Sequence, residues 1–198
     1  MTAAKQPWGE IPAHEIKLDS GELKRRLGGD AEATLAKYES RLSPYFSTAR
    51  VKYSVGERPT SVTDDEVSIG DVKIKSKALA RQLLGFSSCA VVALTLGVDT
   101  DRFIKRCEAC GQTLGFVADA VCSALADGAC YTVCDGYFGE RAHTSPFAPG
   151  YADTDISALP DLLKIADEKG SLGISFTDAH LMIPTKSIIV IVGKCNEK

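Results

Sequence analysis

The segment Cys89-Ala90-Val91-Val92-Ala93-Leu94-Thr95-Leu96 is apolar but for one hydroxyl. Such a run must be buried in a core or a membrane. It is far shorter than the roughly 20 residues that a spanning helix needs. It therefore reads as a central strand of a sheet. A second run, Ser187 to Val192, reads as a last strand near the end of the chain. Between Arg50 and Ile74 the pattern alternates: Val51, Tyr53 and Val55, then Val67 with Ile69 and Val72 with Ile74 around the turn dipeptide Gly70-Asp71. Alternation of this kind marks half-buried strands, and the second pair a hairpin. Ile11 to Leu18 reads as an opening strand and Leu172 to Phe176 as another.

Helical spacing fills the remainder. Ser20 is expected to cap a helix carrying Leu23 and Leu27, closed by Gly28-Gly29. Asp30 is expected to cap a second, with Leu35, Tyr38 and Leu42 on one face and Pro44 at its end. Ser76 to Leu84 and Ser157 to Glu168 read as further helices, and Thr177 to Ile183 as a short helical turn stopped by Pro184. The longest stretch runs from Thr100 towards Tyr137, with Gly111, Gly115 and Gly128 as points of interruption or of close helix packing. Helices and strands alternate irregularly, with no βαβ rhythm and no repeat. The fold class expected is α+β. With 44% apolar residues over 198 positions, residues 1–198 can bury the core of a single domain.

The chemistry classes narrow quickly. The net charge is -3, and Lys24-Arg25-Arg26 is the only basic run, read as a solvated helix face. No nucleic acid partner is expected on that account, since phosphate contacts need clustered cations. No membrane segment is expected. Lys5, Trp8, Glu10 and Pro12 stand where a signal peptide would need an apolar run, so a cytoplasmic location with reduced cysteines is expected. Of the seven cysteines, Cys107 and Cys110 form a CxxC, while Cys130 and Cys134 lie one helical turn apart and could cluster with Cys122. His14, His143 and His180 are not spaced as metal ligands. No glycine-rich phosphate loop and no nucleophile elbow is present.

The segment Thr144-Ser145-Pro146-Phe147-Ala148-Pro149-Gly150-Tyr151 differs in kind. Two prolines stiffen it, Gly150 permits close approach to backbone, and Phe147 and Tyr151 place rings in a loop. A ring beside exposed amides suits a cationic ligand such as a sulfonium. The competing reading is a rigid turn whose rings plug the core.

Three landmarks together resemble a known family. They are Ala118-Asp119-Ala120-Val121-Cys122-Ser123-Ala124 in the long helix, Ala148-Pro149-Gly150-Tyr151, and Gly173-Ile174-Ser175-Phe176-Thr177-Asp178 followed by Met182-Ile183-Pro184 and Lys186-Ser187. The chain resembles the reactivation (activation) domain of cobalamin-dependent methionine synthase in a free-standing form. That resemblance implies a mainly antiparallel twisted sheet with a long central helix. It also implies that S-adenosylmethionine is bound by Ala148, Pro149, Gly150, Tyr151 and Asp119. The cobalamin would sit on a partner methyltransferase subunit, and a flavodoxin-like or iron–sulfur protein would donate the electron. Thr177 and Asp178 are expected to cap the turn before Pro184, and Lys186 to face solvent. The family's signature arginine falls at Pro146, with Arg141 and His143 upstream as substitutes. Two other readings stay open: a corrinoid-protein docking module without the nucleotide ligand, and a cysteine-based redox or metal protein.

Overall fold

The structure, a computed structural model, describes residues 8–194. It centres on β5 (Ser88–Thr95), which pairs antiparallel with β2 (Arg50–Val62) on one side and β8 (Ser187–Lys194) on the other. Beyond β2 lie β3 (Glu66–Ile69) and β4 (Val72–Lys75), while β1 (Trp8–Pro12) pairs with the first residues of β2. Every pairing in this six-stranded sheet is antiparallel.

The unbroken apolar character of β5 follows from its neighbours on both faces. Ala90, Val92 and Leu94 join a core beneath the helices α1 (Ser20–Leu27), α2 (Ala31–Phe46), α4 (Val98–Cys110) and α5 (Gln112–Phe138). Cys89, Val91 and Ala93 join a second core with α3 (Lys77–Leu83) and α6 (Leu159–Ala166). β8 divides the same way, with Val190 and Val192 on one face and Ile189 and Ile191 on the other. Each valine, leucine or isoleucine side chain buried in full there contributes roughly 1.5–3 kcal/mol. Helix α5 is long and apolar enough to cross a membrane by length and composition. In the fold, 78% of its most apolar window is buried against the rest of the chain.

Several boundaries differ from the sequence reading. The opening strand is Trp8–Pro12 and stops where expectation had it beginning, because its register is set by pairing with Arg50–Ser54. The cap of α1 is Asp19, whose carboxylate accepts the Glu22 N–H at 2.6 Å, and not Ser20. Pro44 lies inside the last turn of α2. The long helical stretch breaks at Gly111, at φ +152, giving two helices, α4 and α5, packed on each other. Residues 177–183 form no helical turn; they close a small hairpin of β6 (Ser175–Phe176) and β7 (Met182–Ile183). Thr177 closes its tip by accepting the Leu181 N–H on its hydroxyl at 3.1 Å.

Candidate ligand site beside residues 146–151

After α5 the chain turns back along the outer edge of β8. Thr144 N donates to Gly193 O at 3.1 Å, Phe147 N to Ile191 O at 2.9 Å, and Ile191 N back to Phe147 O at 2.8 Å. The open strand edge is thus covered, and the loop inherits the rigidity of the sheet. Gln82 Nε2 adds a bond to Ser145 O at 2.6 Å from α3. The chain then turns with Gly150 at φ +94, a conformation that suits glycine. Thr154 braces the turn, donating to Tyr151 O at 2.6 Å and accepting the Gly150 N–H at 3.2 Å.

Between this loop, β8 and α5 lies an open cavity of about 520 Å³, lined by Ala148, Pro149 and Tyr151 with Asp127, Tyr131 and Met182 among others. The two loop rings behave differently. Phe147 packs against the core under α3 and α6. Tyr151 is 73% exposed and stands at the rim. Neither Gly150 nor Asp119 lines the cavity.

Asp119, Ser123 and Asp127 recur every four residues and so share one face of α5. Asp119 is held by Lys186 Nζ at 2.6 Å and by Arg26 Nη1 at 2.9 Å. Lys186 also donates to Ser123 Oγ at 2.8 Å, and its side chain is only 11% exposed. The expectation that Lys186 faces solvent is therefore corrected. So is the reading of Lys24-Arg25-Arg26 as a purely solvated face. Arg26 bridges Asp119 and Glu22, and Arg25 holds Glu22 through two bonds of 2.7 Å. Cations and carboxylates thus alternate from Lys186 through Asp119, Arg26 and Glu22 to Arg25. The hydrogen bond from Arg25, with help from Arg26, holds the Glu22 carboxyl down at about 2. Burial pushes the Asp127 carboxyl up, and neighbouring Glu22 and Asp19 add to it. Arg25 lies within electrostatic range of Asp127 and Tyr151.

Arg141 and His143 are engaged elsewhere. Arg141 closes the end of α5 through Tyr137 O at 2.8 Å and Phe138 O at 3.1 Å, and the His143 ring stacks on Phe138 at 4.6 Å. Six cysteines lie among the described residues, all free thiols. Cys130 and Cys134 share a hydrogen bond, and burial raises Cys122 to about 12. No three His, Cys, Asp or Glu side chains converge to hold a metal among the described residues.

No family model and no curated protein matches the chain. Solved structures do match. One is the "Crystal Structure of the MetH Reactivation Domain bound to AdoHcy", with a TM-score of 0.69 and 13% identity, covering 99% of this chain and 81% of that one. The three sequence landmarks and the likeness of fold point to the same domain. The chain has the α+β fold of the MetH reactivation domain, with its antiparallel sheet and long helix.

Proposed function

We infer that residues 1–198 form a single-domain reactivation subunit that binds S-adenosylmethionine in the cavity beside Ala148–Tyr151 and presents it to a cobalamin-carrying methyltransferase. The observation that carries this reading is the open cavity itself, framed by a braced Pro-Gly-Tyr turn on a fold that holds AdoHcy in MetH. Ala148 and Pro149, which line the cavity, supply backbone contacts, and Gly150 shapes the turn that carries them. Tyr151 offers its exposed ring to the sulfonium or the adenosyl group. Asp127 lines the cavity and supplies a carboxylate for the cationic end of the ligand. Asp119 lies about 12 Å further along the same helix face, outside the cavity lining, where Lys186 and Arg26 hold it. Pro146 cannot clamp the ligand carboxylate; the candidate for that contact is Arg25 of α1, which lies outside the cavity lining and would exchange Glu22 for the ligand.

The chemistry this serves is reductive methylation. An electron from a flavodoxin-like or iron–sulfur donor reduces the partner's cob(II)alamin, the cobalt takes the methyl group, and S-adenosylhomocysteine remains. The domain itself performs positioning, which needs no acid–base pair. Calorimetric titration with S-adenosylmethionine and S-adenosylhomocysteine tests it. Saturable heat is expected, weakened in Tyr151→Ala and Arg25→Gln. An absence of heat at millimolar ligand would leave the corrinoid-docking reading, in which a cobalamin methyltransferase is captured whether or not the nucleotide is present.

A further inference from the structure

A second cavity, of about 860 Å³, lies outside the site described above, between the end of α2, the start of β2 and the first turn of α4. Arg41, Arg50, Lys52 and Arg106 line it against a single lining carboxylate, Asp99. That carboxylate is already held by Arg102 Nη1 at 2.9 Å. Arg41 and Arg106 have no ion-pair partner among the described residues. Arg50 reaches only the carbonyl of Ala49, at 3.3 Å, and Lys52 stands 3.7 Å from Glu10. In a chain of net charge -3, four cations with so little to neutralise them are a local reversal of sign. A concave wall of one sign concentrates the field on whatever enters.

The rest of the wall is preformed. Tyr45 stacks on Phe103 at 4.2 Å with ring planes 8° apart. The Tyr45 hydroxyl is tied to Thr100 Oγ1 at 2.5 Å, and Thr100 donates to Leu96 O at 2.8 Å. These bonds fix an apolar floor. Two carbonyls at the end of α2 already have partners within the chain: Pro44 O accepts from Ser47 Oγ at 2.9 Å, and Tyr45 O from Ala49 N at 2.9 Å. Gly97, the cap of α4, and Val98 and Asp99 of its first turn also line the cavity, so the positive end of that helix dipole adds to the side-chain charge. Burial pushes the Cys107 thiol up while Arg106 and Arg41 both act against the shift, which puts these two guanidiniums close to one residue.

We propose that this cavity binds a multiply charged phosphate compound, with Arg41 and Arg106 as its principal anion contacts and the Tyr45–Phe103 stack beneath it. Free guanidiniums suit phosphate oxygens, which they can meet with paired N–H groups. The site is independent of the cavity beside Tyr151, so it stands or falls separately from the reading of that cavity.

The test is calorimetric titration of the full chain with inorganic pyrophosphate and, separately, with ATP, both without divalent metal. Saturable binding is expected, weakening steeply as sodium chloride is added. The Arg41→Gln/Arg106→Gln double variant is expected to lose about tenfold or more in affinity. Heat from S-adenosylmethionine, where the wild-type chain gives it, should be unchanged in that variant. Tighter binding of ATP than of pyrophosphate would assign the apolar floor to a base or sugar; equal binding would assign the phosphates alone. Both arginines are exposed, and circular dichroism shows whether the double variant is folded. Should it not fold, each single variant must still weaken binding. The proposal is overturned if neither probe binds at millimolar concentration, or if a folded variant binds as the wild type does.

Discussion

Ser76 Oγ donates to Asp153 Oδ1 at 2.5 Å, and the same hydroxyl oxygen accepts the Leu79 N–H at 2.9 Å. Two caps are therefore connected in series at the start of α3. Asp153 also takes the Lys77 N–H at 2.7 Å, so its carboxylate is shared between a side chain and the helix backbone. The consequence reaches the ligand cavity, because Asp153 follows Tyr151 by only two residues and anchors the far end of its loop. Asp153→Ala frees that end without removing any group that lines the cavity. Its expected effect is a lower urea midpoint, because a cap of α3 is lost. It should also weaken S-adenosylmethionine severalfold while leaving the Tyr151 ring in place. Calorimetry beside a urea titration checks both, and unchanged ligand affinity would show that the loop is positioned by its bonds to β8 alone.

Glu22 gives the protein an acid-sensitive contact. Its carboxyl is held at about 2, against an ordinary 4.5, first by the Arg25 hydrogen bond. A carboxyl held low when folded contributes stability that is full above the unfolded value and lost as pH falls. The window therefore runs from about 4.5 down to about 2. The shift would convert to roughly 3 kcal/mol, but one partner is exposed to solvent, and about 1–2 kcal/mol is expected after screening. Glu22→Gln should lower the unfolding free energy from urea titration by that amount at neutral pH and flatten the acid limb of stability against pH. Equal acid limbs in the two proteins would count against the pair.

Asp127 carries the opposite sign. Its carboxyl is raised, by burial first and by Glu22 and Asp19 after it. A raised carboxyl favours the folded state while protonated, so the charged form at neutral pH costs stability. Asp127→Asn is expected to raise the urea midpoint at neutral pH and to lower affinity for a cationic ligand. For the wild type, that affinity should decline as pH falls through the raised value, and the variant should lack the decline. A stabilised variant with undiminished affinity would remove Asp127 from the binding site.

What could be read beforehand followed from local rules. The apolar runs of β5 and β8 announced themselves because both faces of the sheet are covered, and the hairpin of β3 and β4 because its alternation meets at Gly70-Asp71. Of the β6–β7 hairpin the first strand is expected, over the longer range Leu172 to Phe176, but Met182-Ile183 reads as part of a helical turn, because a two-residue strand has no period to detect and Thr177 closes the hairpin with a side chain. The candidate loop could be picked out by its prolines and glycine. The charges around it could not, because their partners are distant in the chain. Arg26 meets Asp119 across 93 positions, and Lys186 meets Ser123 across 63. A lysine that loses most of its water by ion pairing reads in sequence like any surface lysine.

Two glycines of α5 should respond with opposite signs to the same substitution. At Gly128 an added Cβ would stand 2.1 Å from the carbonyl oxygen of Lys17, whose chain crosses the helix there and donates Asp19 N to Ala124 O at 3.0 Å. Backbone cannot swing aside as a side chain does, so the crossing segment must lift, taking with it Asp19 and the cap of α1. Gly128→Ala should cost about 1–3 kcal/mol, the usual penalty of overpacking. At Gly136, in the same helix, an added Cβ would meet nothing within 4 Å among the described residues. The helical preference for alanine then favours the substitution, and Gly136→Ala should gain about 0.5–1 kcal/mol. Urea midpoints of the two variants decide it. Because α1 carries Arg25, Gly128→Ala should also weaken the ligand and Gly136→Ala should not. A tolerated alanine at 128 would mean that the crossing of Lys17 over α5 is looser than described.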